Sequence, residues 1–308
     1  MATPASGSDR PAIKEDYLKK RGGRRKISIN LRILRWCFRY LSPLLPGLGA
    51  WYAYRLWFST RRHPAPGREQ RWEAESVRSS VTTEYGEVAV YQWGNEGPGV
   101  LLIHGWNGRG TQLAGFAQPL IDAGYRVLAF DGPGHGDSPG RWTTIFRLCE
   151  ATRAVVEKFG PMEAVIAHSF GGAVTAYALN HHLAVSRVVS ISSPASIRYL
   201  VERFCEAMRI PGSVQQRLER RIEQRMTTGM GEDIWECISP ESNARRIKGV
   251  PALIVHDHDD HDVDVSHGQR LHQAWQGSEL LETRGLGHRR ILRNRKTIKH
   301  VVDFISRS

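Results

Sequence analysis

The chain has 308 residues, 41% of them hydrophobic and 24% charged, enough for one large domain or two small ones around a buried core. The net charge of +12 is uneven: residues 1–62 hold 14 Lys/Arg and 3 Asp/Glu, which leaves 29 against 28 for residues 63–308. A basic face across the folded body is therefore excluded, and nucleic acid is not an expected partner. Four cysteines without a CxxC pair argue against a disulfide framework and fit a reducing, cytoplasmic setting.

Residues 1–30 are polar, with Lys19-Lys20-Arg21 and Arg24-Arg25-Lys26 around a Gly-Gly pair, and are expected to form a disordered basic tail. Residues 31–62 form an arm rich in apolar and aromatic side chains, Leu31 to Phe58. Its longest charge-free stretch, Tyr40 to Tyr54, is 15 residues long and is broken by Pro43 and Pro46. A spanning helix needs about 20 residues. No small-residue cleavage site follows, as a signal peptide would require. Aromatic residues mixed with arginines beside a polybasic tail leave three readings. Residues 14–62 lie on an anionic membrane surface, peripheral to its inner face; the arm packs on the body and the tail is solvated; or, against its short apolar length, the arm spans a membrane. Arg61 to Gly67 reads as a linker.

From residue 76 the pattern alternates. Val77 to Thr83 and Glu87 to Trp93, joined through Tyr85-Gly86, predict a hairpin. Val100 to Ile103 is a continuous apolar run, as expected of a strand buried on both faces. Tyr125–Phe130, Ala164–Ala167, Arg187–Ile191 and Ala252–Val255 repeat it. Helical patterns around 111–123, 144–159, 170–182, 266–276 and 295–306 fall between and after these runs. The prediction is an α/β protein over residues 76–308, a doubly wound and mostly parallel sheet. Residues 196–250 break the rhythm; they are helical in pattern and charge-rich, as expected of a helical cap inserted over the sheet's carboxyl edge. Cys149 and Cys205, in apolar helical contexts, read as core fillers.

The chemistry sits in the loops after these strands. Ala167-His168-Ser169-Phe170-Gly171-Gly172 follows an apolar run and opens a helix. A serine on such a strand-to-helix turn needs small neighbours two before and two after, which Ala167 and Gly171 provide, to push its hydroxyl into the open. The alternative for this serine is an ordinary helix N-cap. The other loops read His104-Gly105-Trp106-Asn107-Gly108, Asp131-Gly132-Pro133-Gly134-His135-Gly136-Asp137-Ser138, His256-Asp257-His258-Asp259-Asp260-His261-Asp262-Val263 and Gly285-Leu286-Gly287-His288. In this order the motifs resemble the α/β-hydrolase fold superfamily over residues 77–306. Within it the chain is similar to bacterial hydrolases with a helical cap and a basic, apolar N-terminal arm.

The resemblance implies a serine–acid–histidine order. Ser169 would be the nucleophile and His288 the base. The family's H-G-x-x-D-x-x-V pattern laid onto residues 256–263 selects Asp260 as the acid, with Asp259 and Asp262 as fallbacks; Asp257 stands where glycine is usual. By the same match the oxyanion donors would be the backbone N–H groups of Trp106 and Phe170, their side chains walling the pocket. Phe204, Met208 and Trp235 of the cap are expected either to line an acyl pocket or to be plain core. His104 and His135 read as structural, His181 and His182 as solvated, and Asp131 as the tie of its glycine-rich loop. The run His256-x-His258-x-Asp260-His261 also spells a zinc-ligand pattern, so a metal-dependent hydrolase is a rival, as is a non-catalytic binding protein on the same fold. The favoured expectation is a serine hydrolase without cofactor or metal, acting on a small or acyl-chain ester or thioester.

Overall fold

The computed structural model describes residues 28–226 and 233–307. The expected disordered tail lies outside the described residues except for 28–30, as do residues 227–232 within the expected cap.

One sheet carries the body, with strands β1 (Val77–Thr83), β2 (Gly86–Trp93), β3 (Gly99–Ile103), β4 (Arg126–Phe130), β5 (Met162–His168), β6 (Arg187–Ile191), β7 (Ala252–Asp257) and β8 (Ser278–Thr283). The spatial order is β1-β2-β4-β3-β5-β6-β7-β8. β1 and β2 form the expected antiparallel hairpin, β2 meets β4 antiparallel, and every pairing from β4 to β8 is parallel. β3 and β7 are buried along their whole length, and β5 is nearly so. Helices cover both faces, so these strands read as unbroken apolar runs rather than alternating ones. The connection leads from β3 to β4 on one side and from β4 back to β5 on the other. The crevice at the carboxyl ends of β3 and β5 is thus the topological switch point, where open α/β sheets bind ligands.

The helices show why particular residues stop and start them. α5 (Ile145–Phe159) is capped by the Thr144 hydroxyl, which accepts from the Arg147 N–H. It buries Ile145, Leu148, Cys149, Thr152 and Val155 on one stripe and ends at Gly160, whose φ of 83° suits a residue without a side chain. α6 (Phe170–Leu179) is apolar on every side and buried all round, as befits a helix behind the sheet's centre. Cys149 and Cys205 are both buried. Outside these lie α4 (Ala117–Asp122), α11 (Val265–Ala274) and α12 (Arg295–Ile305). Between β6 and β7 the chain leaves the layered pattern for α7 (Ile197–Met208), α8 (Gly212–Met226), α9 (Ile234–Cys237) and α10 (Pro240–Arg246), within the interval expected to hold an insertion.

The arm is α1 (Ile29–Trp36), a π-helical turn (Cys37–Leu41) and α2 (Pro46–Trp57). Its inner face packs on α8. Phe38, Ala50, Ala53 and Phe58 share one core with Val214, Leu218 and Ile222. Gly49 lets the surfaces close, because a Cβ there would stand 2.7 Å from the Ser42 Cβ and 3.4 Å from a Val214 methyl. Its outer face is open, with Trp36 54%, Leu44 74%, Leu45 63% and Leu48 60% exposed. Among the described residues no helix is long and apolar enough to cross a membrane. α3 (Gly67–Ala74) starts at the last residue of the expected linker and runs through residues for which no element was expected. Tertiary contact holds it, with the Trp93 indole N–H donating to the Trp72 carbonyl at 2.8 Å.

Candidate active site

Ser169 stands between β5 and α6 with φ 55° and ψ −122°, a conformation that L-residues adopt at a cost of about 1–3 kcal/mol. Close packing imposes it. A Cβ on Gly171 would come within 2.5 Å of the Ile103 carbonyl oxygen, and one on Gly172 within 2.0 Å of the Ser193 hydroxyl, so the helix start is pressed against β3 and β6. The Ser169 hydroxyl makes no cap hydrogen bond to its helix. The N-cap reading therefore lapses and the side chain is left free for other use.

Asp260 lies on the loop after β7 and is 2% exposed. Its Oδ1 accepts from the N–H groups of Asp262 and Val263, both at 2.9 Å, and its Oδ2 lies 2.8 Å from His288 Nδ1. Burial pushes this carboxyl up, but the hydrogen bond and charge of His288 and the two backbone donors outweigh it, leaving its pKa below the usual carboxylate value. A carboxylate can only accept, so His288 Nδ1 carries a proton, and in the neutral ring Nε2 is the acceptor. Of the fallbacks, Asp259 accepts from the Gly285 N–H and Asp262 is exposed. Asp257, the residue in the glycine position, is fully buried. It accepts from the Thr283 hydroxyl and the N–H groups of Leu286 and Gly287, so it shapes the turn that presents His288.

His168 supports the same turn. It is buried, its Nε2 is 2.8 Å from the His288 carbonyl oxygen, and burial lowers its pKa to about 3, so it donates as a neutral ring. Sequence reasoning gave His168 no role and marked Asp257 only as the residue standing where glycine is usual; the signal for both was a polar residue at a core-facing strand end.

The loop after β3 carries the other half of the site. A Cβ on Gly105 would stand 2.8 Å from the Ser169 Cβ, so only glycine lets this loop lie over the serine. The Trp106 N–H makes no backbone hydrogen bond among the described residues. Phe170 is the first residue of α6, where no carbonyl of the helix can reach its N–H. The Trp106 and Phe170 rings meet edge-on at 5.2 Å. His104 holds the loop: its Nε2 accepts from the Gly132 N–H at 2.9 Å and its Nδ1 lies 2.7 Å from the Gly105 carbonyl oxygen. Asp131 ties its own loop by accepting from the N–H groups of Gly110 and Asp137 and from the Tyr91 hydroxyl. Burial lowers the pKa of His135 to about 3. His181 and His182 are exposed.

Two cavities meet at Ser169 and His288. One, of about 480 Å³, is walled by Phe204, Met208 and Trp235 of the segment between β6 and β7, and by Leu31, Arg35 and Trp57 of the arm. The arm's share was not legible in the sequence. Arg35 Nε is buried there with no hydrogen-bond partner among the described residues. The other cavity, of about 350 Å³, is polar. The zinc-like run does not converge: His256 Nε2 contacts the Val263 carbonyl, His258 Nε2 contacts Glu282, and Asp260 is taken by His288. Among the described residues no group of His, Cys, Asp or Glu could hold a metal ion.

Comparison with known proteins bears on the fold that carries this serine. The family described as alpha/beta hydrolase fold matches residues 98–208. The chain has the α/β-hydrolase fold. Among solved α/β-hydrolase structures, an esterase from Exiguobacterium antarcticum superposes with a TM-score of 0.58 at 16% identity, covering 75% of this chain and 100% of that one. A membrane phospholipase A described as a bacterial virulence factor has a TM-score of 0.58 at 18% identity and covers 91% of this chain and 97% of its own. A probable serine hydrolase of Drosophila melanogaster is 30% identical over 131 residues, 40% of this chain and 38% of that protein. The match thus spans well under half the length of that curated relative.

Proposed function

We propose that the protein is a serine hydrolase that cleaves an ester or thioester of an acyl-chain substrate through an acyl-enzyme. The observation that carries this reading is the Asp260–His288 hydrogen bond of 2.8 Å on the same cavity as a strained Ser169. His288 Nε2 takes the proton as the Ser169 oxygen attacks the carbonyl carbon. The developing oxyanion draws on the Trp106 and Phe170 N–H groups. The tetrahedral intermediate collapses as His288 returns the proton to the leaving alcohol or thiol. Water, deprotonated by His288, then attacks the acyl-serine, giving a carboxylic acid and restoring Ser169. The apolar cavity falls within the range of small-molecule sites, roughly 300–1,000 Å³, and its wall of Phe204, Met208 and Trp235 favours an acyl chain.

The arm belongs to this reading. Its outer apolar face lies in a stretch, residues 17–68, that has no acidic residue, with Arg32, Arg39 and Arg55 among the exposed side chains. Apolar rings among guanidinium groups suit an anionic bilayer surface, so the arm seats the protein there while its inner face walls the acyl cavity. A membrane phospholipase A with the same fold is consistent with such a location. Fluorophosphonate labelling of wild type beside Ser169→Ala is the test. Labelling lost only in the variant is expected; no labelling of folded wild type would remove the reading.

A further inference from the structure

The polar cavity beside Ser169 is built unlike the acyl cavity it adjoins. Residues 63–69, the loop after β3 and the turn bearing His288 wall it. Four guanidinium side chains line it, Arg68, Arg109, Arg289 and Arg293, against two carboxylates, Glu69 and Asp262. Glu69 is divided between Arg68 and Arg109, at 3.5 Å from each. Neither the Arg289 nor the Arg293 guanidinium has a hydrogen bond or ion pair with any described residue. Positive charge is thus in excess; burial, and after it the nearby Arg68, lowers the Arg293 pKa, with Glu69 acting the other way. The body as a whole is close to neutral, with 29 Lys/Arg against 28 Asp/Glu in residues 63–308. A four-arginine cavity on such a body is a local feature. Unpaired guanidinium groups around one hollow repel each other, and an anion with several oxygens relieves that repulsion by accepting from more than one of them.

We propose that this cavity is an anion subsite in which Arg289 and Arg293, with Arg68 and Arg109, bind a phosphate-type group on the leaving-group side of the scissile bond. The inference rests on the reading of Ser169 as nucleophile. With the acyl chain in the apolar cavity, the carbonyl carbon sits at Ser169 and the departing alcohol or thiol points into the arginines. The substrate is then an amphiphile, an acyl chain joined to a phosphorylated alcohol or thiol. A glycerophosphate headgroup and a phosphorylated thiol carrier both have this chemistry.

The test uses matched decanoyl substrates on the full chain: 1-decanoylglycerol against its 3-phosphate, and the thioester of N-acetylcysteamine against that of coenzyme A. The expected result is a kcat/KM at least about tenfold higher for the phosphorylated member of one pair, and the pair that shows it names the source. Arg289→Gln and Arg293→Gln should each lower that ratio several-fold, through KM rather than kcat. Equal kcat/KM within both pairs, or a ratio unmoved by the variants, overturns the subsite. Binding separates its failure from failure of the hydrolase reading. Ser169→Ala protein should bind decyl phosphate about tenfold more tightly than decanol in titration calorimetry, a difference lost when Arg293→Gln is added. A difference without turnover of any ester keeps the subsite and removes the hydrolase. Turnover of the uncharged esters without a difference does the reverse.

Discussion

Asp260→Asn isolates the acid of the proposed triad with almost no change of shape. The carboxylate spends Oδ1 on the N–H groups of Asp262 and Val263 and Oδ2 on His288 Nδ1. An amide keeps one oxygen and puts an NH₂ donor in place of the other. If that donor faces His288, the ring must turn its lone pair to Nδ1, leaving Nε2–H toward Ser169 and unable to take a proton. Turning the amide over moves the clash onto the two backbone donors. Either way the productive tautomer loses a charge-assisted hydrogen bond worth about 1.5–3 kcal/mol and sets donor against donor for about 1–3 kcal/mol more. A sum of roughly 3–6 kcal/mol corresponds to a fall in kcat of about 10²–10⁴. Ester hydrolysis by purified variants, with circular dichroism to establish folding, measures it. Asp262→Asn, at an exposed position without contact to His288, should retain activity toward an uncharged ester within about twofold. A folded Asp260→Asn enzyme with more than a tenth of wild-type kcat, or an equal loss in Asp262→Asn, would refute the assignment.

Gly105→Ala should fold yet lose most activity, because its Cβ would meet the Ser169 Cβ at 2.8 Å and the His168 carbonyl oxygen at 3.1 Å, lifting the Trp106 donor away; an unchanged kcat would show that the loop position is unimportant. Stability should fall on acidification from pH 7.5 to 5.5. Burial lowers the pKa of His135 and His168 to about 3 and of His267 to about 4. Below about pH 6.5 the unfolded chain therefore takes up protons that the folded one refuses, and stability drops as pH falls, by up to about 4 kcal/mol for the three together. The depressed carboxyls, aspartates ordinarily near 3.8 and glutamates near 4.5, titrate below this range, so a melting temperature flat across it would contradict the buried neutral histidines. Replacing Trp36, Leu44, Leu45 and Leu48 with serine should abolish flotation with phosphatidylglycerol vesicles while leaving the melting temperature within a few degrees, since these side chains are exposed. Equal flotation would place membrane contact elsewhere or nowhere. Trp235→Ala should raise KM for decanoyl more than for acetyl esters, as the ring lines the apolar cavity; a uniform change would remove it from the acyl wall.

The strands, the mostly parallel character of their sheet and the turn at Ser169 were legible in the sequence, since they rest on local patterns; the strand order was not. A strand buried on both faces needs an unbroken apolar run such as Val100 to Ile103, and a tight elbow needs small residues beside the serine. The family resemblance selected Asp260 over Asp259 and Asp262, and of these three it is Asp260 whose Oδ2 lies 2.8 Å from His288 Nδ1. What sequence could not reach were relations between distant segments. Leu31, Arg35 and Trp57 wall the acyl cavity only because α2 packs on α8, a contact that joins residues more than 150 positions apart. His168 and Asp257 hold the His288 turn through bonds that exist only once β5, β7 and β8 lie side by side. The sum of charge over residues 63–308 is +1 and conceals the arginine cavity entirely. Local propensity and side-chain size decide the elements; which charges and surfaces face one hollow is decided only when the packed layers close around it.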